Sequence, residues 1–193
     1  DANARRIIAQ GLRNPFRFNF KPGTTEIWVG DVGWTGWEEI NRIVQPTAAV
    51  TNFGWPCYEG LGRQAGYEGA NLTICQNLYA QTGAVTPPYF VYNHVDHIVP
   101  GEPCPAGGSS TTGVAFYAGG NYPEIYNGGM FFADYSRGCI WVMLSDGQGN
   151  PDPARIATVV AGAKGPVELK VGPGGDVFYV DLNGGKLAVE PGG

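Results

Sequence analysis

Three times along the chain a short apolar run closes on an aspartate: Ile27-Trp28-Val29-Gly30-Asp31, Met130-Phe131-Phe132-Ala133-Asp134 and Val177-Phe178-Tyr179-Val180-Asp181. Each run has an apolar stretch before it, across a turn, and another after it. The first follows the alternation Phe16-Phe18-Phe20 and the turn Pro22-Gly23, and precedes Glu39-Ile40-Asn41-Arg42-Ile43-Val44. The second lies between 112–117 and 139–144. The third follows 167–171 and the turn Gly172-Pro173-Gly174-Gly175, and precedes 186–189. Strands of period two joined by tight turns predict three antiparallel meanders. The spacing from Asp134 to Asp181 matches the roughly 40–50 residues of a four-stranded propeller blade. Asp31, Asp134 and Asp181 are expected to cap turns, because a short carboxylate accepts neighbouring backbone N–H groups.

A fourth strand for each unit is read from residues 4–9, 88–92 and 155–160. Blade one then spans 4–44, a long loop 45–87, blade two 88–144 and blade three 154–190. The fold class is therefore all-β, three four-stranded blades of a β-propeller, a fold that generally uses four to eight blades. Three blades cannot close a ring, so the upstream half of the same propeller, or a second copy of the chain, is expected as partner. Loop 45–87 is long enough to suggest a functional role. A second insertion, 93–111, holds His94, His97 and Cys104.

Composition narrows the partners. With 43% hydrophobic residues the chain can bury a core, while 31 glycines and 15 prolines disfavour long helices. No segment approaches the roughly 20 apolar residues that span a bilayer. A net charge of −5 disfavours nucleic acid and anionic membrane surfaces. Cys57, Cys75, Cys104 and Cys139 show no CxxC spacing and no paired histidine, which disfavours zinc. Two disulfides are expected. All three connectivities are open, with Cys57–Cys75 and Cys104–Cys139 favoured, and four buried free thiols are the alternative. Disulfides would imply an oxidising compartment, hence a secreted or periplasmic protein. The sequon Asn71-Leu72-Thr73 is a triplet common by chance and carries no weight. Trp34 and Trp37, beside glycines in a loop, are candidate sugar-stacking residues, since the apolar face of a pyranose packs on an aromatic ring.

The strings GLRNPFRF, EIWVGDVG, WEEINRI, NFGWPCYEG, TTGVAFYAGGNYPEIYNGGMFFADY and VGPGGDVFYVD together resemble the glucose/sorbosone dehydrogenase family. That group of six-bladed propellers includes soluble sugar dehydrogenases using pyrroloquinoline quinone (PQQ), and the propeller of the Hedgehog-interacting protein. The resemblance covers nearly the whole chain and implies the second half of such a propeller, so that the three blades belong to a six-bladed β-propeller. It implies that a histidine acts as general base while hydride passes to the quinone, and that this histidine lies upstream of residue 1. No catalytic residue is then expected here, and the chain alone is expected to be inactive. His94 and His97 match no family base and are expected to face solvent or pack.

By the same resemblance, Asn14 matches the residue that supports the quinone, with a turn role before Pro15 as the alternative. Arg13 offers a fork to a carboxylate or an internal ion pair. The chain departs from the quinone enzymes at three places. Phe16 stands where they carry Gln, Lys164 where they carry an Arg pair, and Ser136 where they carry a lysine, with Arg137 beside it. Arg13, Asn14, Arg137 and Lys164 are thus the candidate PQQ ligands. Glu39 and the carbonyl of Phe53 resemble a Ca²⁺ site of the family; the alternative is that Glu38 and Glu39 solvate a strand start. The implied function is the C-terminal half of an exported PQQ-dependent aldose dehydrogenase. A non-catalytic propeller that binds carbohydrate or protein is the alternative, and a purely structural half is a third.

Overall fold

A computed structural model describes residues 6–190. Its strands, in chain order, are β1 (Ala9–Gln10), β2 (Pro15–Phe20), β3 (Ile27–Asp31), β4 (Trp37–Ile43), β5 (Thr51–Asn52), β6 (Tyr58–Glu59), β7 (Gly62–Arg63), β8 (Phe90–Asn93), β9 (Thr111–Phe116), β10 (Met130–Asp134), β11 (Cys139–Ser145), β12 (Pro151–Ala161), β13 (Pro166–Val171), β14 (Val177–Asp181) and β15 (Lys186–Glu190). Two short helices, α1 (Ala65–Gly69) and α2 (Thr73–Tyr79), lie in loop 45–87. The chain is mostly β. Among the described residues no helix is long and apolar enough to cross a membrane.

The three meanders form where the alternation places them. Sheet one has the order β2-β3-β4-β8, sheet two β9-β10-β11-β12, and sheet three β13-β14-β15, all antiparallel. The fourth strands are where the structure corrects the sequence. Of the strand expected over 4–9, residues 4 and 5 lie outside the described residues, and the described part does not join sheet one: Ala9 and Gln10 pair in parallel with Thr51 and Asn52. Phe90–Asn93 bonds to β4 as the outer strand of sheet one instead of opening sheet two. Residues 155–160 lie in β12 and bond to β11, closing sheet two instead of opening sheet three. The blade boundaries drawn at 88 and 154 therefore fall one strand early.

Packing explains why these strands mislead. Phe90 and Tyr92 bond to sheet one, yet their rings lie 5.7 and 6.3 Å from Phe132 in sheet two. Their apolar character reflects the neighbouring sheet, whereas their hydrogen bonds belong to the preceding one. Sheet two is buried on both faces, which is why Met130 to Ala133 is apolar without alternation. Met130 and Phe132 pack with Trp28, Ile40, Phe116 and Trp141 on one side. Phe131 and Ala133 pack with Tyr117, Ile140, Leu169 and Val177 on the other. Each such side chain contributes roughly 1.5–3 kcal/mol through burial.

The first strands of the three sheets converge, with β9 between β2 and β13. Asn19 Nδ2 donates to the Val114 carbonyl (3.2 Å) and Thr112 Oγ1 to that of Pro166 (2.7 Å). Arg17 and Glu168 form an ion pair of 2.6 Å. A Cβ on Gly113 would meet Leu169 at 2.7 Å, so glycine sets how closely β9 approaches β13. On the opposite flank, Phe18 and Phe20 are 58% and 53% exposed and stack edge to face at 6.0 Å.

Candidate functional site

The three aspartates end β3, β10 and β14 and fasten each meander. Asp31 accepts the backbone N–H groups of Arg13 and Asn14 at 2.9 and 2.6 Å. Asp134 accepts those of Ser110 and Arg137 at 2.9 Å each, and the Tyr92 hydroxyl at 2.8 Å. Asp181 accepts Gly184 N at 2.8 Å. Burial pushes Asp31 and Asp134 above the usual carboxylate range. By tying the residue before β2 or β9 to the end of the middle strand, these carboxylates bring equivalent positions of the sheets to one end.

At that end is a cleft of about 280 Å³. Asn14, Phe16 and Val32 line it from sheet one, Ser110, Thr112 and Tyr135 from sheet two, and Val167 and Leu182 from sheet three. The side chain of Asn14 is exposed and has no partner among the described residues, since only its backbone is used. Lys164, three residues before Val167, is likewise exposed with its ammonium unpaired among the described residues. The other two candidate cations turn elsewhere. Arg13 donates to the Val32 carbonyl (3.0 Å) and lies 5.6 Å over the ring of Trp55. Arg137 is buried and engaged: it donates to Ser109 Oγ (2.7 Å) and to the carbonyls of Asp96 (2.8 Å) and Asn93 (2.6 Å). It clasps the 93–111 insertion, and four of its five N–H donors are spent there, the fourth on the His94 carbonyl (3.3 Å).

Trp34 and Trp37 do not share a surface. Trp34, 48% exposed, packs with Trp55 at 5.8 Å and Tyr67 at 5.6 Å. Trp37 lies against Gly60 and lines a different recess with Glu59 and Arg63. The loop between them is held by Glu59, which the sequence did not single out. Its Oε1 accepts the N–H groups of Trp34, Thr35 and Gly36 at 2.7, 2.8 and 3.1 Å, and Oε2 accepts Thr35 Oγ1 at 2.9 Å. Desolvation works against this charge, but the donors outweigh it and hold the carboxyl below its usual range.

Glu39 is buried at 8% exposure, with Oε1 accepting Gly60 N at 2.7 Å and Oε2 accepting Asn41 Nδ2 at 3.0 Å. Burial, reinforced by Asp31 and Glu59, pushes it up to about 7. Asn41 Oδ1 is buried with no hydrogen-bond partner among the described residues. Phe53 lines one recess with Gly60, and its carbonyl accepts no backbone hydrogen bond from a described residue. Period two places Glu39 and Asn41 on one face of β4, a signal that could have marked Asn41 from sequence. Among the described residues no three His, Cys, Asp or Glu side chains cluster to hold a metal, so any cation here would rest on mixed oxygen donors. Glu38, fully buried, accepts Thr111 N at 2.8 Å and lies 2.8 Å from His94 Nε2. Burial raises Glu38 to about 8 and lowers His94, so the same desolvation disfavours the charged form of both partners. His97 is half exposed, 4.0 Å from Glu102.

A sequence profile for glucose/sorbosone dehydrogenases matches residues 1–188. The chain belongs to the glucose/sorbosone dehydrogenase family. Comparison with curated proteins found no significant match. Among solved structures, a glucose dehydrogenase superposes with a TM-score of 0.65 at 20% identity, covering 96% of this chain and 46% of that one. The PQQ-bound aldose sugar dehydrogenase of Streptomyces coelicolor gives 0.61 at 17% identity, covering 95% and 45%. The calcium structure of a Trichoderma reesei carbohydrate-active enzyme of family AA12 gives 0.61 at 15% identity, covering 94% and 52%. The fold is shared with these three structures, and the chain spans about half their length.

Proposed function

We propose that this chain is the C-terminal half of an exported, PQQ-dependent aldose dehydrogenase, its three sheets being three blades of a six-bladed propeller. Family membership over residues 1–188 and the half-length coverage support the assignment. The observation that carries it is the cleft of about 280 Å³ at the shared end of the sheets, where corresponding positions of all three meet. Two disulfides, Cys57–Cys75 and Cys104–Cys139, support an oxidising compartment. The exposed Phe18–Phe20 face is the surface that upstream blades, or a second copy, would cover.

The fit to the two family cofactors differs. A tricarboxylate such as PQQ needs several cations, and this half offers the carboxamide of Asn14 in the cleft and the exposed Lys164 outside its lining, because Arg13 and Arg137 are engaged. On its own this half does not make a quinone site, and no chemical step is assigned to it. The remaining counter-charge and the general base would come from upstream. Ca²⁺ fits better. The Glu39 carboxylate, the orphaned Asn41 Oδ1 and the carbonyl of Phe53 are hard oxygen donors of the kind it prefers. There it would offset desolvated negative charge and fix the NFGWP turn against β4.

The sugar would meet Asn14 in the cleft, and the exposed Trp34 is the candidate aromatic for its apolar face. Full-length protein supplied with PQQ and Ca²⁺ should oxidise an aldose with an artificial electron acceptor, while this chain alone should not. A propeller that binds carbohydrate or protein without redox chemistry is the second reading, favoured by Phe16 in the cleft and by the engaged Arg137. No turnover and no quinone spectral change with the full-length protein would select it.

A further inference from the structure

Away from the cleft, the 45–87 insertion builds a recess of about 390 Å³, within the roughly 300–1,000 Å³ of small-molecule sites. One wall is the parallel ladder of β1 and β5, in which Gln10 and Asn52 are direct partners. Gly11 permits the close approach. Its φ is +70°, and a Cβ there would stand 2.4 Å from Gly54 N and 2.5 Å from Asn52 Oδ1.

The other wall is one face of α2 and its end. Ile74, Asn77, Leu78 and Gln81 follow the i, i+3, i+4, i+7 spacing that aligns side chains on a helix, and all four line the recess. Trp55 and Cys57 join the walls. The Cys57–Cys75 bond and the Tyr79 hydroxyl, which donates to the Cys57 carbonyl at 2.9 Å, fix the helix against the turn. Such covalent and hydrogen-bonded support preorganises a site.

The lining chemistry is selective. Four carboxamides face the recess and no ionisable side chain does. Asn52 Oδ1 accepts Gly54 N and Gln81 Nε2 donates to the Asn77 carbonyl. The carboxamides of Gln10 and Asn77 have no partner among the described residues. A carboxamide presents an acceptor and two donors side by side, which suits vicinal hydroxyl groups, while an ion would find no counter-charge. Trp55 and the 67% exposed Ile74 supply apolar surface for the C–H face of a pyranose.

We propose that this recess is a binding site for neutral saccharides, separate from the cleft and independent of whether the cleft performs redox chemistry. The test is calorimetric titration of the full-length protein, freed of quinone and metal, with maltotriose, cellotriose and trigalacturonate. A neutral trisaccharide should bind, trigalacturonate should bind at least about tenfold more weakly, and Asn77→Ala/Gln81→Ala should weaken the neutral ligand about tenfold at unchanged thermal midpoint. Gln10→Ala, on the opposite wall, should do the same. Absence of binding by both neutral ligands, equal binding of trigalacturonate, or binding that survives both variants overturns the proposal. Turnover by the reconstituted enzyme reads the cleft alone, so the two assignments fail separately.

Discussion

The Oε1 atom of Glu59 lies 2.7 Å from the backbone nitrogen of Trp34, across 25 residues of sequence. One carboxylate in the stapled insertion thereby fixes the glycine-rich loop that carries the exposed Trp34. Besides the packing of Trp34 on Trp55 and Tyr67, that acceptor holds the backbone of the loop.

Glu59→Ala would leave the N–H groups of Trp34, Thr35, Gly36 and Trp37 and the Thr35 hydroxyl without their acceptor. A stability loss of about 3 kcal/mol is expected from unpaired donors around a lost charge. Glu59→Gln, which keeps one oxygen, should cost less than half as much. Urea midpoints would rank the variants. Equal losses would show that one retained oxygen does not support the loop and that the full carboxylate is required.

Glu26 gives a pH dependence of defined sign. It is desolvated, but the bonds from Arg42 (2.6 and 3.1 Å) and from Trp28 Nε1 (3.2 Å) outweigh that cost and hold its carboxyl below the usual range. A carboxylate whose folded pKa is depressed adds stability above its unfolded value of 4.5, and the contribution disappears as pH falls through the folded value. Glu26→Gln should therefore destabilise at pH 7 by about 1–2 kcal/mol, and the gap from wild type should close below pH 4.5. Thermal melts across pH 3–8 would show it; a gap constant with pH would remove the ion pair as cause.

Much of this architecture is legible in the sequence because period two and turn residues are local signals. The meanders and their terminal aspartates follow from Phe16-Phe18-Phe20 and the repeated apolar runs, and the two disulfides are the favoured one of the pairings that the sequence left open. What the sequence hides is the choice of edge. Phe90 and Tyr92 look the same whether they bond to β4 or open the next sheet, because their apolar faces answer to Phe132 and their hydrogen bonds to Glu38 through Ile40. Arg137 misleads similarly. A cation near a cofactor position and a cation closing an insertion read alike until its carbonyl partners are known. Glu59 gave no signal at all, since its donors lie 22 to 25 residues away.

The disulfides should contribute unequally. Cys57–Cys75 closes 18 residues and Cys104–Cys139 closes 35, so loop-closure entropy gives about 3 and about 4 kcal/mol respectively. Paired Cys→Ser variants, compared by denaturant titration, should follow that order. Loss of Cys57–Cys75 should also release α2 to protease before the sheets unfold, because that bond anchors the helix to the 54–57 turn.

Phe132 couples sheets one and two. It is fully buried, stacks on Trp141 at 5.3 Å and meets Phe90 at 5.7 Å. Phe132→Ala should cost about 3–5 kcal/mol. Combined with Phe90→Ala, the total should fall short of the sum of the single losses, because the second truncation removes a ring whose partner is already gone. Strict additivity in denaturation would place the two rings in separate cores.

Calcium provides a test centred on β4. Asn41 Oδ1 is buried without a donor, a situation that costs about 1–3 kcal/mol, and beside it Glu39 is surrounded by Asp31 and Glu59 with burial opposing its charge. A divalent cation would answer both deficits, taking Oδ1 as a ligand and offsetting the acidic neighbours. Ca²⁺ at a hundredfold excess over its dissociation constant should stabilise the full-length protein by about 2.7 kcal/mol, and a chelator should reverse the gain in melting temperature. Glu39→Gln and Asn41→Ala should each abolish the response, whereas Glu26→Gln should leave it intact. If the two β4 variants retain the full calcium-dependent shift, the ion binds elsewhere and the unpaired Asn41 oxygen has no part in it.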